Sequence, residues 1–111
     1  MWSHQSIGVL MKHTPRPGIY RVRHVVSGRS LIGGSVDAPA YLNRVRFELQ
    51  LGSHRTPALQ RDWTQDGEAA FAFEVLDDLK PDLAGRVDSH DLEELLALWL
   101  ERLDLPPHQR Y

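Results

Sequence analysis

The period of the hydrophobic positions changes several times along the chain, and each change marks an element. From Ile19 to Val26 β-branched residues are dense, and alternation sets Tyr20, Val22 and His24 on one side of a strand with Ile19, Arg21 and Arg23 on the other. Ser27-Gly28 signals a turn and Leu31-Ile32 a short second strand, hence a hairpin that Gly33-Gly34 is expected to end. Asp37-Ala38-Pro39 opens a helix to Leu51, with Leu42, Val45 and Leu49 at helical spacing and Gly52 as its stop. A second short helix runs from the cap Thr56-Pro57 through Leu59 and Trp63, and Asp66-Gly67 breaks it. Phe71, Phe73 and Val75 form the buried side of a third strand. A polar connection from Asp77 to Ser89 leads to a last helix, about Asp91 to Leu103, with Leu92, Leu95, Leu96, Trp99 and Leu103 inward. Leu105-Pro106-Pro107 is read as the end of regular structure.

The order β-β-α-α-β-α predicts an α/β (α+β) sandwich: a three-stranded antiparallel sheet with flanking helices. The pattern divides the chain into an N-terminal arm over residues 1–16, one domain over 17–105 and a C-terminal tail over 106–111. A length of 111 residues suits a single modest core. No apolar run approaches the length of a membrane span, and the first residues lack the basic and apolar regions of a leader. The sequence contains no cysteine, which excludes disulfides, thiolate-held zinc and a thiol nucleophile, and suits a cytoplasmic setting.

Charge is unevenly spread behind a net −2. Nine basic residues stand against Asp37 and Glu48 between Lys12 and Arg61, a balance of +7, whereas the remainder from Asp62 carries −9. Segregation of this kind points the first part toward a polyanion. The alternative is neutralisation across the fold or head-to-tail dimerisation.

Gly18-Ile19-Tyr20, followed in the next strand by Leu31-Ile32-Gly33, resembles the GIY-YIG nuclease family. The resemblance runs from about Gly18 to Leu103. Leu51-Gly52-Ser53-His54, Leu59-Gln60-Arg61-Asp62-Trp63 and Phe73-Glu74-Val75-Leu76 fall in the family's order. It implies phosphodiester cleavage with one divalent metal, using two strand tyrosines, an arginine and a histidine of the first helix and a glutamate of the last helix. Carried over position by position, Tyr20 keeps the first tyrosine. Leu31 replaces the second, Tyr41 stands for the arginine, Val45 for the histidine and Leu96 for the glutamate. A metal site without its carboxylate has little to hold a cation.

The expectation is therefore a degraded GIY-YIG-like domain that binds nucleic acid, DNA ahead of RNA, through Arg21, Arg23, Arg29, Arg44 and Arg46, with no cofactor. Binding of this type rests on phosphates and is salt-dependent. A second reading is an active divergent endonuclease that uses Tyr20, Arg44 and Glu93, with Glu93 holding Mg²⁺; a shift of three residues in the last helix would bring Glu93 to the metal position. His24 is a further candidate base. A third reading is a protein-interaction or self-associating module with an apolar cleft around Leu31, Tyr41, Val45 and Leu96. Each candidate also has a plain reading. Arg44 and Arg46 suit a solvated helix face, and Glu93 and Glu94 suit the first turn of a helix. His24 suits a hydrogen-bonded sheet position and Tyr20 a core ring.

Overall fold

The computed structural model describes residues 14–111. Two strands, β1 (Gly18–His24) and β2 (Ser30–Ser35), form a hairpin, and α1 (Ala38–Gln50) and α2 (Pro57–Asp66) follow. A short 3₁₀ turn leads into β3 (Phe71–Asp78), and α3 (Ser89–Leu103) is the last long element. The sheet order is β2-β1-β3, with both pairings antiparallel. This is the three-stranded α+β arrangement that the pattern predicts. The expected arm lies almost wholly outside the described residues.

Alternation along β1 decides the layers. Tyr20 and Val22 join Leu42, Val45 and Leu49 of α1 and Leu59 and Trp63 of α2 in one core. Leu31 of β2 and Phe73 and Val75 of β3 pack against it from the same face. Ile19, fully buried, faces the other way. On that side Leu92 of α3 packs over Gly34, and Trp99 donates its indole N–H to Asp77 at 3.0 Å. The sheet thus separates α1 and α2 from α3. None of the inward apolar residues of α3 is fully buried, so this second layer is the thinner of the two.

The helix starts have local causes. Asp37 caps α1 through the Ala40 N–H, and Asp88 caps α3 through the His90 N–H at 2.8 Å. Thr56 stands at the cap of α2 without a side-chain capping bond; Pro57 supplies the fixed φ of a first helical turn.

Three boundaries differ from the pattern. β1 stops at His24, and Val25 and Val26 are exposed in the turn that follows, where Gly28 takes φ +79°. β2 does not end at Gly33-Gly34 but runs through them to Ser35, because each pairs with β1. β3 extends to Asp78 and closes against Arg16, whose guanidinium meets the Asp78 carboxylate at 3.1 Å. Beyond the Pro pair the chain also returns to the sheet. Arg110 bridges Ser30 in parallel, and the Tyr111 N–H donates to the Ser30 carbonyl at 3.0 Å, covering the free edge of β2.

Candidate functional site

Tyr20 lies directly opposite Gly33 in the β1–β2 ladder. A Cβ at Gly33 would overlap the tyrosine hydroxyl and come within 2.7 Å of Cζ, so glycine is what lets the ring lie flat across β2. The other side of that ring meets Tyr41 of α1, with centroids 4.5 Å apart and planes tilted by 31°. Burial, and then pairing with the Tyr41 hydroxyl, push the Tyr20 phenol well above its usual range, against a smaller opposing effect of Arg55. Tyr20 is therefore a protonated, buried group near neutral pH. It can orient a neighbour but is a poor proton acceptor.

Beside this tyrosine pair a concave pocket of about 140 Å³ opens, lined by Tyr41, Arg44, Glu48, Ser53, His54 and Arg55. Arg44 and Glu48 are one turn apart on α1 and approach to 3.6 Å. The other walls come from the α1–α2 connection, and α2 holds that connection in place. Gln60 accepts the His54 backbone N–H at 3.0 Å and donates to the Leu49 carbonyl at 3.1 Å, clamping the loop to the end of α1. Ser53 closes back on the Glu48 carbonyl through its N–H at 2.9 Å.

His54 is oriented by its own chain. The Thr56 backbone N–H donates to His54 Nδ1 at 3.1 Å, which places the ring proton of the neutral imidazole on Nε2. Desolvation lowers its pKa, with Glu48 opposing and Arg55 reinforcing the shift. Neutral His54 presents an N–H donor, and protonation adds positive charge beside Arg44 and Arg55. Two guanidinium groups, a donor imidazole and one phenol around one carboxylate form a site suited to an anion with several acceptor oxygens.

The structure separates much of the expected basic surface. Arg21 and Arg23 project on the α3 side of the sheet, where Arg21 donates to Ser30 Oγ at 2.8 Å and Arg23 approaches Glu74 at 3.5 Å. Arg29 sits in the hairpin turn, 3.8 Å from Asp62 and over the Tyr111 ring. Arg46 lies on the Phe73 ring, 4.5 Å from its centroid and 3.6 Å from Glu68, with its Nε buried and without a hydrogen-bond partner. These arginines are spread over two sheet faces because strand alternation and helix rotation direct them apart. Of the five, only Arg44 lines the pocket.

Leu31, Tyr41, Val45 and Leu96 also do not form one cleft. Val45 is 1% exposed in the core, Leu31 is half-buried beneath the same core, and Leu96 belongs to α3 in the other layer. The apolar cleft expected around Leu31, Tyr41, Val45 and Leu96 is thus not formed, since the sheet stands between its parts. The expected trio is divided in the same way. Tyr20 of β1 packs on Tyr41 of α1, which lines the pocket with Arg44, whereas Glu93 is exposed on α3, where His90 holds Glu94 at 3.0 Å. Among the described residues no three His, Asp or Glu side chains gather in a way that could hold a metal ion. Glu48 is the only carboxylate lining the pocket, so the residues there do not offer the oxygen set that a divalent cation takes.

His24 has a different setting. It is 5% exposed, and its ring bonds Ser27 Oγ at 2.7 Å and Asp66 at 2.6 Å, tying the hairpin turn to the end of α2. Asp62 stands 3.8 Å away and accepts the Tyr111 hydroxyl at 2.5 Å. This network joins three parts of the chain and lies away from the pocket. Sequence reasoning missed His54 and Arg55 as site residues. The available signal was a His-Arg pair in a short polar connection directly after the helix that carries Arg44.

A scan against protein-family models gives no match, and a search of curated proteins gives none either. Solved structures do match. The catalytic domain of the homing endonuclease I-TevI aligns over 86% of this chain and 95% of its own, at a TM-score of 0.68 and 20% identity. A mutant form of the same catalytic domain aligns over 80% and 84%, at 0.64 and 20%. Among the described residues no helix is long and apolar enough to cross a membrane. I-TevI is a GIY-YIG nuclease, and the shared architecture, with Gly18-Ile19-Tyr20 leading β1 and Gly33 beneath the tyrosine ring, gives this chain a GIY-YIG-like fold.

Proposed function

We propose that this chain binds nucleic acid without cutting it, gripping a backbone phosphate in the pocket beside Tyr20. The observation that carries the reading is the pocket itself: Arg44, Arg55 and the Nε2–H of His54 converge where Glu48 is the only acid. Guanidinium forks and a donor imidazole neutralise and hydrogen-bond phosphate oxygens, a task that a metal ion would otherwise share. The reading places DNA ahead of RNA as partner and a cytoplasmic setting for a chain without cysteine.

The test is fluorescence anisotropy with labelled single- and double-stranded DNA and RNA across a salt series, beside a cleavage assay with Mg²⁺ or Mn²⁺. Arg44→Ala and Arg55→Ala are each expected to weaken binding and to reduce the log–log salt slope by about one. EDTA is expected to leave binding unchanged. Metal-dependent cutting that Tyr20→Phe abolishes would establish the endonuclease reading instead, and no binding at low salt would reject both.

A further inference from the structure

Two outward helix faces remain that the pocket does not explain. On α1, Phe47 and Leu51 are 61% and 63% exposed, one turn apart and in line with Arg44. Arg55 follows in the next loop, and with Glu48 paired to Arg44 at 3.6 Å the border of this apolar pair keeps a net positive charge. On α3, Leu98 is 60% exposed, and Asp91, Glu94 and Glu101 share its outward stripe at helical spacing. Arg102, the nearest base, lies over its own Trp99 ring at 5.1 Å. Each face has the make-up of a small interface, an apolar centre with a charged rim, and the rims are opposite in sign.

We propose that the Phe47–Leu51 face of α1 docks on the Leu98 face of α3 in a second copy of this chain. Charge complementarity selects the occupant: Arg44 and Arg55 outnumber Glu48 around Phe47 and Leu51, whereas Asp91, Glu94 and Glu101 outnumber Arg102 around Leu98. The layering sets the geometry. The two faces belong to helices on opposite sides of the sheet, so one molecule offers both outward and can hold a neighbour on each side. Such an interface is heterologous, and association is open-ended rather than a closed pair. Its electrostatic part weakens with added salt, because both rims are exposed.

The test is sedimentation velocity and light scattering over a concentration series at about 50 mM and about 500 mM NaCl, a range in which the screening length falls severalfold. The wild-type chain is expected to grow past twice its 12.7 kDa mass at low salt and to return toward the monomer at high salt. Phe47→Asp places an acid against the acidic face, and Leu98→Arg a base against the basic one. Each variant alone is expected to stay monomeric. Mixed in equal amounts, they retain one intact face each and are expected to form a dimer that grows no further. A wild-type chain that stays monomeric at every concentration in low salt would overturn the proposal. So would a mixture that fails to pair, or a closed dimer that both variants keep. No nucleic acid enters this experiment, so its outcome is independent of the phosphate-binding reading.

Discussion

Replacing Gly33 by alanine tests the geometry on which the site is built, because two effects of opposite sign meet there. Gly33 is not among the glycines with positive φ, so alanine fits the backbone and, by restricting the unfolded chain, would stabilise by about 0.4–1 kcal/mol if space allowed. Space does not allow it: the new methyl group overlaps the Tyr20 hydroxyl and reaches Cζ at 2.7 Å. The ring has little room to yield, being 7% exposed with Tyr41 packed 4.5 Å away on its other side. Overpacking of this kind costs about 1–3 kcal/mol, so the clash outweighs the entropic gain. The net expectation is a loss of about 1–2 kcal/mol, or a Tm lower by about 5–15 °C for a domain of this size. The hydroxyl is the nearest atom in the clash, and removing it supplies a second arm. Tyr20→Phe alone removes a buried hydroxyl, a change of about 0.5–1.5 kcal/mol, yet the double variant is expected to be more stable than the two single losses summed. Thermal and urea unfolding followed by far-UV circular dichroism read all four corners of this cycle. A Gly33→Ala protein with an unchanged or higher Tm, or a cycle that closes additively, would refute the placement of Tyr20 across β2.

Three pH responses and one side-chain deletion follow from the same packing. Because the folded-state pKa of His54 is lowered, the unfolded chain binds more protons once pH falls below the usual histidine value near 6.5, so stability declines there and His54→Gln should flatten that decline in a series of Tm values against pH. Phosphate binding should show the opposite trend, with affinity rising as His54 gains its proton, and the same variant should remove the rise in anisotropy titrations. Tyr20 and Tyr111 are both raised, so their contribution is complete below pH about 10 and fades as pH climbs above it; absorbance titration at 295 nm should show two phenols ionising only as the fold opens. Tyr111→Phe removes the donor to Asp62, whose side chain is 13% exposed, and should cost about 1.5–3 kcal/mol in urea unfolding; no change would mean the tail contributes nothing to the fold.

Element order was readable from the sequence because it depends on local period. Tyr20-Val22-His24 alternates, Leu42-Val45-Leu49 recurs at helical spacing, and both patterns point at the core the structure contains. Boundaries failed where a partner across the sheet decides. Glycine is depleted in strands, so Gly33-Gly34 reads as a stop, yet one lies beneath the Tyr20 ring and the other beneath Leu92. Val25 and Val26 read as strand by propensity, but the turn that begins after His24 takes them out of the ladder. The return of residues 107–111 to β2 leaves no periodic trace, since it rests on one parallel bridge and a phenol–carboxylate bond. The basic residues were visible as a count but not as a surface. Alternation sends Arg21 and Arg23 behind the sheet, and Phe73 captures Arg46.

Val45, Leu31 and Tyr41 bear on chemistry through where each side chain lies, not only through what it is. Val45 is sealed between α1 and the sheet, where an imidazole would lose its water and need a new partner. Leu31 adds to the same core, and Tyr41 turns its ring onto Tyr20. These contacts support one another: the Tyr41 ring helps to desolvate Tyr20, and desolvation is the largest cause holding the Tyr20 phenol protonated. A buried phenol of raised pKa beside apolar neighbours is a stable packing unit and a weak proton acceptor. Restoring one polar group at Val45 or Leu96 would not by itself make Tyr20 accept a proton. The cations at the pocket rim stand outside this core and are not subject to its desolvation to the same degree. Arg44 and Arg55 are exposed, and His54 is oriented by the Thr56 N–H and the Gln60 clamp rather than by Leu31, Val45 or Leu96. The packing of Val45 and Tyr41 and the orientation of His54 thus rest on separate contacts, so a substitution at the rim should change anion binding without lowering the stability that the core supplies.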